Sequence, residues 1–291
     1  MNILSFDIEE WYVMQKNFPA TANLAQYDKI LAELLDALAE LEIKATFFCV
    51  GQMAKEHSHI IKKIKESGHE IGCHSHNHIW LNKLTRSEVE EDTRVAIDAL
   101  QQCIGEKITS YRAPAFSIGE SNKWVFELLA KNGITKDSSI FPAARDFGGF
   151  PNFRFQNPTI IESSAGQIKE FPIVMTSLMG RQLAFSGGGY FRFFPKSFIL
   201  NQALHRSYNI FYFHILDFVK ERLNISDAEY ESYFREKATF FARTKRNIKS
   251  NLGKGGAWKK FLSLLSALQF CSLEEAARTI NWDKTPKITL I

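Results

Sequence analysis

Apolar and polar positions along this chain fall into blocks that read as strand, then helix, then strand again. Residues 3–8 form a short apolar run that ends in acidic residues, which predicts a buried strand. Ile30, Leu31, Leu34, Leu35, Leu38 and Leu41 then recur at helical spacing. Residues 45–50, Ala-Thr-Phe-Phe-Cys-Val, are aromatic and β-branched and are closed by Gly51, a second strand. Ile60, Ile61 and Ile64 mark a helix stopped by Gly68, and residues 70–74 read as a third strand. Thr85-Arg-Ser-Glu88 has the spacing of a capping box, opening a helix that Gly105 ends. Residues 210–215, Ile-Phe-Tyr-Phe-His-Ile, predict a later strand.

Strands alternating with helices at this spacing predict parallel βαβ units, whose chemistry gathers at the C-terminal strand ends. Those ends carry Asp7, Glu9 and Glu10, then His74 and His78, then Arg112, then His214. Residues 139–200 are rich in Gly, Phe and Pro with little helical period, which predicts loops and short strands across the mouth of the fold. From about Asp227 the chain turns helical and basic.

Composition narrows the class. The chain has 291 residues, 45% hydrophobic and 23% charged, which suits one large α/β domain and argues against disorder. A net charge of +4 with no recognition module argues against a nucleic-acid partner. Cys49, Cys73, Cys103 and Cys271 are scattered without a C-x-x-C pair, which predicts reduced thiols and a cytoplasmic protein. The first residues show no signal peptide, and no run of ~18 apolar residues predicts a membrane span.

Taken singly, each candidate cluster has an ordinary reading as a surface turn or a satisfied core histidine. Their conjunction is what points to chemistry. Strand alternation puts Asp7 and Glu9 on one face, where two carboxylates repel unless a cation or proton joins them. In His74-Ser-His-Asn-His78 the i, i+4 spacing brings two imidazoles together if the segment turns helically past its strand. Glu9, His74 and His78 then form an open three-ligand metal site, with Asp7 beside it as a base, Arg112 to pair with a catalytic carboxylate, and His214 as an acid. Such a set hydrolyses an amide without a covalent intermediate.

In this order the clusters resemble the polysaccharide deacetylases, carbohydrate esterase family 4. The family's H-[ST]-x-x-H motif matches His74 to His78. G-H-E-I-G matches Gly68 to Gly72, K-A-T-F-F matches Lys44 to Phe48, and R-x-P matches Arg112 to Pro114. A finer resemblance, to the exosortase-associated exopolysaccharide branch, rests on three segments. They are Phe6-Asp-Ile-Glu-Glu-Trp11, Asp137-Ser-Ser-Ile-Phe-Pro142 and Ser186-Gly-Gly-Gly-Tyr-Phe-Arg192. The resemblance implies an irregular (β/α) barrel of about seven parallel strands over residues 1–225, with a C-terminal helical extension over 226–291 packed on it. It implies removal of N-acetyl groups from an amino-sugar polysaccharide or its precursor, with a divalent metal, zinc first and cobalt, nickel or iron also suited.

Catalysis by Asp7, Arg112 and His214 is implied, with an oxyanion held by the Ala115 N–H. Phe116, Tyr190 and Arg192 are the implied substrate contacts, and Asp137 is implied to tune a catalytic partner. The family has two adjacent aspartates where this chain has Asp7-Ile8-Glu9-Glu10, so either Glu9 or Glu10 could be the ligand. Three rival functions stay open: a glycoside hydrolase using Asp7 with Glu9 or Glu10, an inactive metal- or glycan-binding homologue, and an amidohydrolase of small cyclic amides. Residues 238–273 contain no Asp or Glu but seven Lys and Arg interleaved with Phe240, Phe241, Trp258 and Phe261. That texture predicts either packing on the barrel or peripheral contact with a membrane or lipid-linked sugar.

Overall fold

The computed structural model describes residues 1–9, 24–145, 148–220, 226–234 and 237–290. Its strands are β1 (Asn2–Ile8), β2 (Thr46–Cys49), β3 (Glu70–Cys73), β4 (Ser110–Tyr111), β5 (Lys136–Asp137), β6 (Thr159–Ser163), β7 (Gly166–Glu170), β8 (Met175–Leu178), β9 (Arg181–Ala184), β10 (Asn209–His214), β11 (Phe270–Cys271) and β12 (Lys287–Thr289). The helices are α1 (Leu24–Glu40), α2 (Gly51–Glu56), α3 (Ser58–Glu66), α4 (Arg86–Ile104), α5 (Val125–Lys131), α6 (Gly188–Phe193), α7 (Lys196–Leu204), α8 (Asp227–Phe234), α9 (Phe240–Asn251), α10 (Lys254–Leu265) and α11 (Leu273–Thr279).

The main sheet runs β10-β1-β2-β3-β4-β5-β7-β6-β12. The first seven strands in that order are mutually parallel, as the βαβ spacing predicts. β6 pairs antiparallel to β7, and β8 and β9 form a separate hairpin. Among the described residues the two ends of the order do not pair with each other, so the barrel is irregular and open. β1 is central and buried along nearly its whole length, which explains why it reads as a continuous apolar run rather than an alternating one.

Local signals held where they had a mechanism. Thr85 caps α4, accepting from the Glu88 N–H while the Glu88 side chain returns to Thr85, and Gly105 ends the helix in the left-handed region at φ 73°. The Gly- and Phe-rich stretch is more helical than expected, since α6 and the start of α7 lie within it. The C-terminal tail is mainly helical, but it also contributes strands: β11 pairs with β1 and β12 with β6. Its aromatics divide. Phe261 on α10 enters the core against Phe6, Phe213 and Phe218, with Trp258 beside it, while Phe240 and Phe241 on α9 face outward. The four cysteines are free thiols. No described helix is long and apolar enough to cross a membrane.

Candidate active site

The parallel register aligns the C-terminal ends of β10, β1 and β2. Asp7 lies opposite His214 on one side and Phe48 on the other, and Glu9 follows one residue beyond the strand. One strand further along, β3 delivers His74 and β4 delivers Arg112, whose N–H donates to the Cys73 carbonyl. The sheet thus collects residues far apart in sequence along one rim.

Glu9, His74 and His78 converge: one ligand atom from each lies within 4.8 Å of the others. The Glu9 Oε2 is 2.8 Å from His74 Nε2 and 2.5 Å from His78 Nε2. The His74 Nδ1–H donates to the Arg112 carbonyl at 2.7 Å, since a carbonyl can only accept. In a neutral ring this leaves the Nε2 lone pair aimed at an acceptor, the Glu9 carboxylate. A single proton could satisfy only one of the two ring nitrogens that press on that oxygen. A divalent cation satisfies all three donors, so these residues fit a metal, and the carbonyl behind His74 is the kind of support metal-binding histidines have. Glu10 and Trp11 lie outside the described residues, so the geometry concerns Glu9.

The two histidines meet through a tight turn, not the helical turn expected. Ser75 and His78 both sit at positive φ, 62° and 53°, and the His78 N–H donates to Ser75 Oγ at 3.0 Å. The turn is tied from outside by Asp92 on α4, which accepts from the His76 N–H at 2.7 Å and the Asn77 N–H at 3.1 Å. Sequence reasoning missed Asp92. The available signal was a lone acid on the apolar face of α4, between Val89 and Ala96.

Arg112 is fully buried beneath the rim, its guanidinium 4.3 Å over the Phe48 ring. It donates to Asp7 Oδ1 at 2.8 Å, to the Ser138 carbonyl at 3.1 Å and to Ser138 Oγ at 3.0 Å. The following turn is strained, with Ala115 and Phe116 at φ 53° and 54°. Among the described residues, four of the six non-glycine positive-φ positions therefore lie in the two loops at this rim. Phe116 is buried, edge-on to Tyr212 and tilted against Phe141, so it serves as a wall rather than an exposed contact.

His214 Nε2 is 3.5 Å from Glu9 Oε1 and 3.8 Å from Asp7 Oδ2, with 29% of its side chain exposed. Burial disfavours its charged form, but Glu9, Asp217 and Asp7 outweigh that and raise its pKa to about 10. Burial likewise opposes the Glu9 carboxylate, yet His78, His214 and His74 hold it well below the usual carboxylate range. This leaves Glu9 ill-suited to serve as the proton-donating acid of a pair with Asp7.

The side chain beside His214 Nδ1 is Asp217. Asp217 Oδ2 is 3.4 Å from His214 Nδ1 and accepts from the His214 backbone N–H at 3.0 Å. Asp137 instead accepts from the Ser139 N–H and Oγ, both at 2.8 Å, and Ser139 Oγ accepts from the Ala113 N–H at 2.8 Å. Burial pushes Asp137 up to about 7 beside the buried Glu170. Its link is to the Arg112 turn. Arg192 is also redirected. Its Nε faces Asp217 Oδ1 at 3.3 Å, and its other nitrogens donate to the Ser250 and Lys249 carbonyls at 2.8 and 3.2 Å. It braces the site from behind rather than reaching for a ligand.

Of the three glycines, Gly187 is explained by packing. A Cβ on Gly187 would lie 2.4 Å from both the Tyr212 ring and its carbonyl, so only glycine lets this strand approach β10. Tyr190 stands half-buried on α6, not in an open loop.

Comparison with known proteins follows the same lines. Residues 23–136 match the family described as polysaccharide deacetylase, and residues 138–278 match a domain of unknown function (DUF3473). The chain is 33% identical over 109 residues to the uncharacterized protein YlxY of Bacillus subtilis, covering 38% of this chain and 33% of that protein. It is 35% identical over 83 residues to the chitooligosaccharide deacetylase of Sinorhizobium fredii, covering 28% and 39%. The matched stretch thus spans between a third and two fifths of these relatives. A solved Mycobacterium smegmatis structure assigned to the polysaccharide deacetylases superposes with TM-score 0.64 at 17% identity, over 100% of this chain and 93% of that one, a likeness of fold. Motif order, the parallel strand order and the family match agree over residues 23–136, and it is there that this chain is similar to the polysaccharide deacetylase family.

Proposed function

We propose that the protein is a metal-dependent hydrolase that removes N-acetyl groups from an amino-sugar polysaccharide or its precursor, releasing acetate and a free amine. The observation that carries the reading is the convergence of Glu9, His74 and His78 beside the Asp7–Arg112 pair and His214. Glu9, His74 and His78 would hold the cation, zinc first, which supplies Lewis-acid polarisation of the acetamide. Asp7, oriented by Arg112, takes a proton from the attacking water. The Ala115 N–H, presented by the strained turn, receives the oxyanion that forms as the carbonyl becomes tetrahedral. His214, oriented by Asp217 and held protonated by the surrounding carboxylates, gives its proton to the departing nitrogen as the C–N bond breaks. The residues invoked fall within positions 1–225, to which we assign catalysis.

The name of the Sinorhizobium relative supports an N-acetylated sugar, and the resemblance to the exopolysaccharide branch favours an envelope or secreted glycan. The test is acetate release from N-acetylglucosamine oligosaccharides. Chelator-treated protein should be inactive and stoichiometric zinc should restore turnover. Equal activity of the metal-free protein would overturn the metal dependence, and no acetate from any N-acetylated glycan would overturn the reaction.

A further inference from the structure

The helix α9 is unusual among the described helices of this length: none of its residues is buried. Phe241 is 83% exposed, Phe240 68%, Ile248 61% and Leu252 46%. Phe193, one residue beyond Arg192, is 61% exposed, and these three are the exposed phenylalanines among the described residues. At 100° per residue, Phe241, Ile248 and Leu252 fall on one narrow stripe, with Lys245 and Lys249 along its flank. Residues 238–273 contain no Asp or Glu; within them Arg243 pairs with Asp227 on α8, Lys249 is engaged elsewhere, and Lys260 is spent on the Phe191, Arg192 and Phe194 carbonyls. A stripe of large apolar side chains edged by lysines is what an interfacial helix presents to a negatively charged bilayer.

The same helix is mechanically tied to the rim. Arg192 bonds the carbonyls of Lys249 and Ser250 at the end of α9 and also faces Asp217, the partner of His214. Gly253 makes the close approach possible. It sits at φ 74°, and a Cβ there would lie 2.3 Å from the Arg192 carbonyl. A surface that docks α9 is thereby held at a set distance from the candidate active site.

We propose that α9, with Phe193, is a peripheral docking face for an anionic phospholipid bilayer, which brings the cleft to glycan carried at that surface. The docking face stands independently of the deacetylation chemistry, because turnover of a water-soluble oligosaccharide can be read without vesicles. The experiment is co-sedimentation of the full chain with phosphatidylcholine vesicles, with and without phosphatidylglycerol, at low and high salt. The protein should pellet with the anionic vesicles, and salt should weaken the binding. Phe241→Ser should lower the partition coefficient about tenfold or more. Lys245→Ser should lower it about fivefold. Met179→Ser, at an exposed apolar residue between β8 and β9, should leave it unchanged. Because all three side chains are exposed, an unchanged thermal midpoint will confirm that the variants fold. Three results would overturn the proposal: no binding to either vesicle, equal binding to both, or a Phe241→Ser variant that binds like the wild type. A concentration-dependent dimer that Phe241→Ser abolishes, without vesicle binding, would assign the face to a second copy instead.

Discussion

At the scale of single residues, the proposed mechanism separates holding a cation from moving protons. His78→Ala removes one of three ligands, so metal content and activity should vanish together, and elemental analysis reads the first directly. Asp7→Asn leaves the ligands in place. It should keep the metal while turnover falls ~10²–10⁴-fold, the range for lost general-base help. Asp217 acts through His214, and its test is a pH profile. In the proposed role His214 is the acid, so activity should persist while it is protonated and decline as pH rises through its pKa, raised to about 10 by Glu9, Asp217 and Asp7 against burial. A cation on Glu9 cancels part of that rise. In either condition Asp217→Asn removes one anion, lowers the His214 pKa and moves the alkaline limb to lower pH. A limb that stays put while kcat falls would reduce Asp217 to a structural role.

At the scale of elements, the metal turn depends on a helix that contributes no ligand. Asp92 on α4 accepts from the His76 N–H, the Asn77 N–H and the Asn77 side-chain amide. Asp92→Ala leaves those donors without their acceptor in a largely buried place. It should cost ~1–3 kcal/mol of stability and weaken metal affinity ~10–100-fold, as losses behind the ligands do. A thermal melt and a metal titration measure the two effects, and unchanged affinity would show that the Ser75–His78 turn holds itself. The strand ends work in the same collective way. Asp7 and His214 lie opposite each other because β1 and β10 run parallel in register, and a one-residue slip of β1 would move Asp7 to the other face of the sheet.

At the scale of the whole molecule, the C-terminal tail is integral to the fold. Phe261 of α10 packs on Phe6 of β1 and Phe213 of β10, the two strands that carry Asp7 and His214. Phe261→Ala should cost ~3–5 kcal/mol and lower the midpoint of one cooperative denaturant transition. A separate early transition that leaves the rest of the chain intact would show the tail to be an independent unit. The tail also reaches the candidate site, through the carbonyls that Arg192 binds, as well as burying apolar surface.

The sequence by itself determined what depends on local period and residue type. Apolar runs placed β1, β2, β3 and β10, the capping box placed α4, and Glu9, Asp7, Arg112 and the two histidines stood out as donor chemistry at strand ends. These were legible because strands buried on both faces, and helix caps, leave marks within a few neighbouring residues. Tertiary structure alone decided the pairings. Asp217 reached His214, Arg192 turned inward, Asp92 tied the turn that carries His74 and His78, and Gly187 allowed a close approach to Tyr212 of β10. Each of these turns on which side chains from distant segments meet in a buried space, where an unpaired charge or donor is costly. That requirement acts between elements, so no local pattern records it.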